Sequence, residues 1–357
     1  MIKNELIELI KNVYLKKQKE GQASPELEEA CKQQNLTAFL YKVYPNYYKK
    51  YYMVSKLKNE LYNEDISLLI EAFNKNQIHH VLMKGYYLKR FYSDEALRVM
   101  GDVDILIFEE DYLKAVKIIK ELNYKECEKE CEHHREFSNN RINVELHKKL
   151  IPASEKRGSV DFTDWRRYLV IENNYTYHFN DSYHFLYVLI HYVKHFKMGT
   201  GIRPIIDLFV LYTRTNIDKD WLEEKIKEAN LTKFYHIVLA SFETLFDFKV
   251  IDNVDSDLVD ILLDYSIESW MNGRNPNKDA DINKFLADKD GKFLYMIKKL
   301  FPSYNKLKYH FPFIKYKILC PIAYIINPFR LLFTKFFQAI KIIKTNKKDN
   351  IYRKVGI

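Results

Sequence analysis

Apolar residues recur at three- and four-residue spacings through the first part of the chain, as in Leu61, Ile66, Leu69, Ile70 and Phe73. That spacing predicts helices over Pro25 to Cys31, Thr37 to Tyr44 and Tyr47 to Lys75. Near Gln77 the pattern changes to short β-branched runs separated by helical ones. Ile78–Met83, Val103–Phe108 and Arg141–His147 are expected as strands, with helices at Gly85–Tyr92 and Glu110–Leu122 between them. Helical spacing returns after Tyr183, over His184–Lys197, Ile202–Thr213, Trp221–Asn230 and Lys233–Phe246, and the polar stretch from Asn272 to Asp290 is expected as a loop. The division that follows is a helical lead-in over 1–76, a mixed core over 77–180, a helical region over 181–300 and a basic amphipathic segment over 301–357. The fold class is α+β and mostly helical.

Composition narrows this picture. Glycine and proline number 9 each in 357 residues, too few for an all-β fold that turns every few residues. Apolar residues at 47% and charged residues at 29% exclude wholesale disorder and a multi-span membrane protein. Four cysteines and no apolar leader in the first residues lead us to expect a reduced, cytoplasmic setting. The net charge of +9 suggests nucleic acid until it is mapped. Residues 301–357 hold twelve Lys/Arg and one acid, leaving 45 basic and 47 acidic groups in the first 300. A nearly neutral body disfavours a long nucleic acid, since each phosphate contact wants a cation.

The candidate chemistry sits in the mixed core. In the run Arg98-Val99-Met100-Gly101-Asp102-Val103-Asp104, strand alternation puts Asp102 and Asp104 on one face and Val103, Ile105 and Ile107 on the other. Two carboxylates so placed repel unless a cation lies between them, and a hard divalent ion such as Mg²⁺ removes the conflict. In Ile142–His147 the same alternation gives Glu145 a polar face with Asn143 and His147. Three carboxylates on adjacent strands suit a pair of ions in phosphoryl transfer. Upstream, a strand ends at Gly85 and opens a helix, with Lys84 as an added positive charge and Arg98 as a second phosphate clamp. No GxGxxG or GxxxxGK[ST] run accompanies them, which argues against Rossmann and P-loop nucleotide binding.

The Lys84-Gly85 pair, the R-x-MGD-x-D run from Arg98 to Asp104, VELH at Val144–His147, HYVKH at His191–His195 and the following Arg203 and Asp207 together resemble a family of largely uncharacterised bacterial nucleotidyltransferases. That family is of the DNA-polymerase-beta-like fold. The resemblance runs from about Tyr47 to Arg214, and extends to FPSYNKLKYHFP after Phe301. It implies a small mixed sheet, two Mg²⁺ ions, an NTP with ATP as the expected one, and release of pyrophosphate. By motif, Asp102, Asp104 and Glu145 would be the catalytic, metal-binding acids, and Lys84, Gly85 and Arg98 would face the nucleotide. The wider superfamily usually carries Gly-Ser or Gly-Gly about ten residues before the first aspartate, whereas here Tyr86 follows Gly85 and Asp102 lies 17 positions on. The acceptor is expected to be a hydroxyl of a small molecule, sugar or peptide. The alternatives are a catalytically silent nucleotide-binding or scaffold protein at a membrane and an enzyme that modifies RNA ends.

Other residues read more plainly. His184, His191 and His195, at spacings of seven and four, share a helix face and are expected to pack rather than bind zinc, for want of a cysteine or close acid. Whether His191 and His195 touch substrate is left open. Arg203 and Asp207 are expected as a local pair four residues apart. Cys127, Cys131, His133 and His134 lack paired C-x2-C spacing in a segment dense in Glu and Lys, and so read as no zinc site. Ile318–Phe329 is too short to span a bilayer, for which ~20 residues are needed. The following run to Lys344 alternates bulky apolar residues with cations. Residues 316–357 then either hold the protein peripherally on the inner, anionic face of a membrane, or Ile318–Phe337 packs on the body and only the last dozen residues are a solvated tail.

Overall fold

The computed structural model describes residues 2–130, 134–151, 160, 162–196, 199–269, 301, 311, 321–324, 326–328 and 351–357, apart from the side chains of 128–130 and 353. Three helices open the chain: α1 (Ile2–Tyr14), α2 (Pro25–Gln33) and α3 (Thr37–Val43). Ser24 caps α2 by accepting from the Leu27 N–H at 3.1 Å, and Pro25 fills the first helical position, where a missing N–H costs nothing. The long α4 (Lys49–Lys75) leads to β1 (His80–Leu82), α5 (Lys84–Leu88), β2 (Val103–Ile107), α6 (Tyr112–Glu121), β3 (Lys125–Glu130), β4 (His134–Ser138), β5 (Asn143–His147), β6 (Leu169–Asn173) and β7 (Thr176–Phe179). Then come α7 (Asp181–Phe196), α8 (Arg203–Arg214), α9 (Lys219–Glu228), α10 (Thr232–Phe246), α11 (Ser256–Glu268) and α12 (Ile351–Val355).

The strands make one seven-stranded mixed sheet in the order β3-β4-β5-β2-β1-β7-β6. β2 is parallel to β5 and antiparallel to β1, and β1 is parallel to β7. All five residues of β2 are buried. Val103, Ile105 and Ile107 pack with Ile66, Leu69 and Phe73 of α4 and Ala115 and Ile119 of α6. Leu106 turns to the opposite face and joins Val81, Met83, Phe179, Tyr183 and Tyr187. Each fully buried aliphatic or aromatic side chain is worth about 1.5–3 kcal/mol, so this strand is anchored from both sides. The chain is therefore an α+β protein, mostly helical around a small mixed sheet.

Four strands and three helices, α1, α11 and α12, were not legible as such. β3 is KECEKE, with no apolar alternation, and charged residues suit a sheet edge that must not pair further. β4–β5 and β6–β7 are hairpins whose turns hold Asn139-Asn140 and Asn173-Asn174. Asn140 and Asn174 adopt φ of +69° and +42°, a backbone region that asparagine tolerates better than most residues. α1 and α11 add to the helical region. α1 to α3 pack in one core with α7 to α11, as where Tyr14 sets its edge on Phe209 and Phe246 at 5.2 and 4.9 Å. Lys3 of α1 also pairs with Asp260 and Asp264 of α11 at 2.9 and 2.8 Å. The lead-in thus divides: α1 to α3 belong to the helical unit, and α4 covers the sheet.

At the C-terminal end, Tyr352 and Val355 of α12 are buried in the helical core, and the Tyr352 hydroxyl lies 3.3 Å from that of Tyr265. The last seven residues are therefore not a solvated tail. The amphipathic run Phe329 to Lys344, Cys320 and the stretch Asn272 to Asp290 lie outside the described residues. No helix among the described residues is long and apolar enough to cross a membrane.

Two buried histidines give the fold a pH dependence. His80 sits between the Ile78 carbonyl (2.8 Å) and the Thr176 hydroxyl (3.0 Å). His184 packs against the Tyr87 ring. Burial disfavours the charged ring and lowers His80 to about 4 and His184 to about 3. An unfolded histidine takes its proton near pH 6.5, so the unfolded chain binds more protons between that pH and these lower values. Stability should then fall as pH drops below about 6.5, by up to about 1.4 kcal/mol per pH unit for each ring. Denaturant titrations at pH 7 and pH 5 should show the loss, and His184→Phe should make it smaller. An unchanged difference in that variant would contradict the assignment.

Candidate active site

Asp104 and Glu145 face each other as register partners on the parallel strands β2 and β5, and His147 lies beside Leu106 two pairs further along. On β4, Glu136 is the partner of Glu145 and His134 that of His147. Alternation sends Val103, Ile105, Val144, Leu146 and Phe137 into the core beneath α4 and α6, so the intervening residues must share the opposite face. That face gathers Asp104, Glu145, Glu136, His147 and His134. His147 Nε2 is 2.9 Å from Asp104 Oδ1 and 3.1 Å from Glu145 Oε2. Burial opposes the charge on His147, but its hydrogen bonds to Asp104 and Glu145 prevail and raise its pKa. For His134 burial prevails and the pKa is lowered.

Lys84 closes this patch from the turn after β1. Its backbone has φ of +44°, unusual for a side chain with a Cβ, and the Met83 N–H donates to the Asp104 carbonyl at 3.3 Å. The strained turn points the Lys84 ammonium at Asp104 Oδ1, 2.6 Å away, and 5.9 Å above the Tyr187 ring of α7. Burial works against both charges. The pair overcomes it: Asp104 holds Lys84 above its usual range, and Lys84, with His147 next, holds Asp104 well below the carboxylate range. Tyr187 is raised to about 12, mainly by burial.

Asp102 stands just ahead of β2 with a face open to solvent. Protein crowded around its carboxyl, followed by the charges of Asp104 and Glu145, raises it to about 6. It is thus near enough to Asp104 and Glu145 to feel both. The group of three side chains whose ligand atoms lie within 4.8 Å of one another is a different set, His134, Glu145 and His147, and it could hold a metal ion. The sequence pattern puts His147 on the polar face of its strand and weighs His134 only with Cys127, Cys131 and His133, a set discounted as a zinc site; its register partner is His147 on β5, which becomes visible only with β4 in place. Cys127 is a free, half-buried thiol, and Cys131 and His133 lie outside the described residues.

Arg98 has a different setting from an open phosphate clamp. Its Nε and Nη2 donate to Asp207 of α8 at 2.7 and 2.9 Å, and the Tyr92 hydroxyl donates to the same carboxylate at 2.5 Å. Asp207 outweighs the burial that disfavours Arg98 and holds it charged. The expected Arg203–Asp207 pair is replaced by this longer-range one: Arg203 Nη1 donates to the Val99 carbonyl at 2.8 Å and Nη2 to the Asn35 carbonyl at 3.4 Å. Two arginines therefore grip the turn that delivers Asp102. A Cβ on Gly85 would lie 3.4 Å from Arg98 Nη2, so the bare backbone lets the guanidinium lie close over the start of α5. His184 packs in the core. His191 and His195 are half-buried on α7 with ring centroids 4.1 Å apart. Burial first and the Lys84 charge next keep both neutral, His195 at about 4.

The family model described as uncharacterised nucleotidyltransferase matches residues 15–247, which takes in the whole sheet and helices α2 to α10. No curated protein and no solved structure matches the chain.

Asp207→Ala should leave the Arg98 guanidinium buried without its carboxylate and cost about 3–5 kcal/mol in a urea unfolding titration. Arg98→Met combined with Asp207→Leu should recover most of that loss, because the charge needing compensation has gone.

Proposed function

The chain belongs to this family of uncharacterised nucleotidyltransferases, and on that footing we propose that it moves a nucleotidyl group from an NTP, ATP first among them, to a hydroxyl of a small molecule, sugar or peptide. The observation that carries the reading is the register of Asp104 beside Glu145 on parallel strands, with Asp102 at the open end of the first. Three carboxylates within range of one another carry more negative charge than the sheet can hold alone, and Lys84 already lies against Asp104. Such an oxygen donor set fits Mg²⁺, two ions being the expected number. When bound, Mg²⁺ supplies Lewis-acid neutralisation of the phosphate under attack.

The protein's own groups divide the remaining work. Asp102, Asp104 and Glu145 would hold the ions, and Glu145 takes the proton of the acceptor hydroxyl. The acceptor oxygen bonds to the α-phosphorus as the bond to pyrophosphate breaks, and Lys84 offsets charge on the phosphates. Arg98, tied to Asp207, keeps the turn before Asp102 in shape and adds positive potential at its base. His191 and His195 on α7, within range of the Lys84 and Asp104 charges, are neutral groups suited to contact an acceptor. The near-neutral body favours a small acceptor over RNA. Residues 316–357 would bring the enzyme to an anionic membrane surface, where lipid-linked acceptors are found. The silent-scaffold alternative is weakened by the presence of all three acids.

Incubation of the protein with α-labelled NTP, Mg²⁺ and a metabolite extract should transfer label and release pyrophosphate. Asp102→Asn and Asp104→Asn should each lower transfer on the order of 100-fold or more, and a chelator should abolish it until Mg²⁺ is restored. Label in RNA would favour end modification, and no release of pyrophosphate with any NTP would favour the scaffold. Deleting 316–357 is a poor test of membrane binding, because Tyr352 and Val355 complete the core. Replacing Lys341, Lys344, Lys347 and Lys348 by Glu should instead abolish co-sedimentation with phosphatidylserine vesicles while the melting temperature stays put. Co-sedimentation that survives both this change and 0.5 M salt, a level at which such attraction is largely screened to within about 4 Å, would end the proposal.

A further inference from the structure

Glu145 has nitrogen donors on one side as well as carboxylates on the other. His147 Nε2 is 3.1 Å and His134 Nδ1 3.7 Å from the same Oε2. Donors bound to a single ion at about 2.1 Å stand about 3.4 Å apart on a tetrahedron, so these two edges lie close on either side of a site already formed. All three side chains come from adjacent strands, whose pairing fixes their spacing, and both histidines are buried. Asp104 Oδ1, held by the Lys84 ammonium, borders this group 2.9 Å from His147 Nε2, and Glu136 Oε1 lies 3.7 Å from the far nitrogen of His134, where an outer carboxylate orients a ligand ring. Two imidazoles and a carboxylate are the donors of a borderline ion, not of Mg²⁺, which prefers oxygen alone.

We infer that His134, Glu145 and His147 bind a borderline divalent ion of the Zn²⁺ class, and that this ion excludes Mg²⁺ from the carboxylate set because Glu145 serves both. The first half stands without the transfer reaction; the second rests on it. An excess of the borderline ion would then hold the enzyme off, and its removal would free Glu145 for the hard ions.

The test uses the full-length protein stripped of metal, with Co²⁺ and Zn²⁺ alone as probes. Co²⁺ should bind one per chain with visible absorption typical of nitrogen and oxygen ligands, and one equivalent of Zn²⁺ should bleach it. His134→Asn should lose the band, Glu136→Gln should weaken binding about 10-fold, and Asp102→Asn should leave it intact. His134→Cys should restore binding with a new thiolate-to-cobalt band, a gain that damage to the fold cannot imitate. Absence of a stoichiometric Co²⁺ complex in the wild type, or its loss in Asp102→Asn but not in His134→Asn, would overturn the site. Co²⁺ binding in a protein that transfers no nucleotide would leave this site standing and remove the transfer reading. Where transfer is seen, Zn²⁺ should inhibit it and His134→Asn should be less sensitive; equal inhibition of both would overturn the exclusion.

Discussion

One carboxylate in the middle of a sheet governs this structure. Asp104 is 5% exposed, on a strand whose other residues are all apolar, and an unpaired charge there would cost several kcal/mol. Its compensation comes from three directions. Lys84 reaches it from a backbone turn held at positive φ, His147 from the neighbouring strand, and Tyr187 closes the space above the ammonium from α7. Local strain at Lys84 persists because the surrounding charges fix where the ammonium must go. The same arrangement brings the acids of β2 and β5 together, so what makes the charge tolerable also makes the patch reactive.

The second constraint joins the sheet to the helices. Asp207 receives Arg98 and Tyr92 together, while Arg203 from the same helix takes the Val99 carbonyl. Asp102 is thus carried by a turn fastened to α8 and not by its strand alone. Nearly all of this polar machinery is buried, where a missing partner is felt more strongly than at the surface.

What could be read from the chain beforehand followed from periodicity. β2 and β5 alternate cleanly, so the shared face of Asp104 and Glu145 was visible, as were the long amphipathic stretches of α4, α7 and α10. β3 and β4 carry so many charged residues that their strand character depends on neighbours, and with β4 unseen, His134 had no visible partner. Arg98 and Asp207 illustrate the same limit. Each lay in a recognisable motif, but their pairing joins positions 109 apart, and sequence spacing favoured the nearer Arg203. The two Asn-Asn pairs were the overlooked signal for the hairpins. They set the turn but say nothing of which edge of the sheet the hairpin joins.

The helical unit is interrupted in sequence by the entire sheet: α1 to α3 precede it, and their packing partners α7 to α11 follow. Leu6, Leu9 and Ile10 of α1 can find their final neighbours only after the intervening strands have been made, at the entropic cost of closing a very long loop. A helix made before the sheet is thus among the last to dock. Until then its apolar stripe is the surface that chaperones, or other nascent copies, would meet.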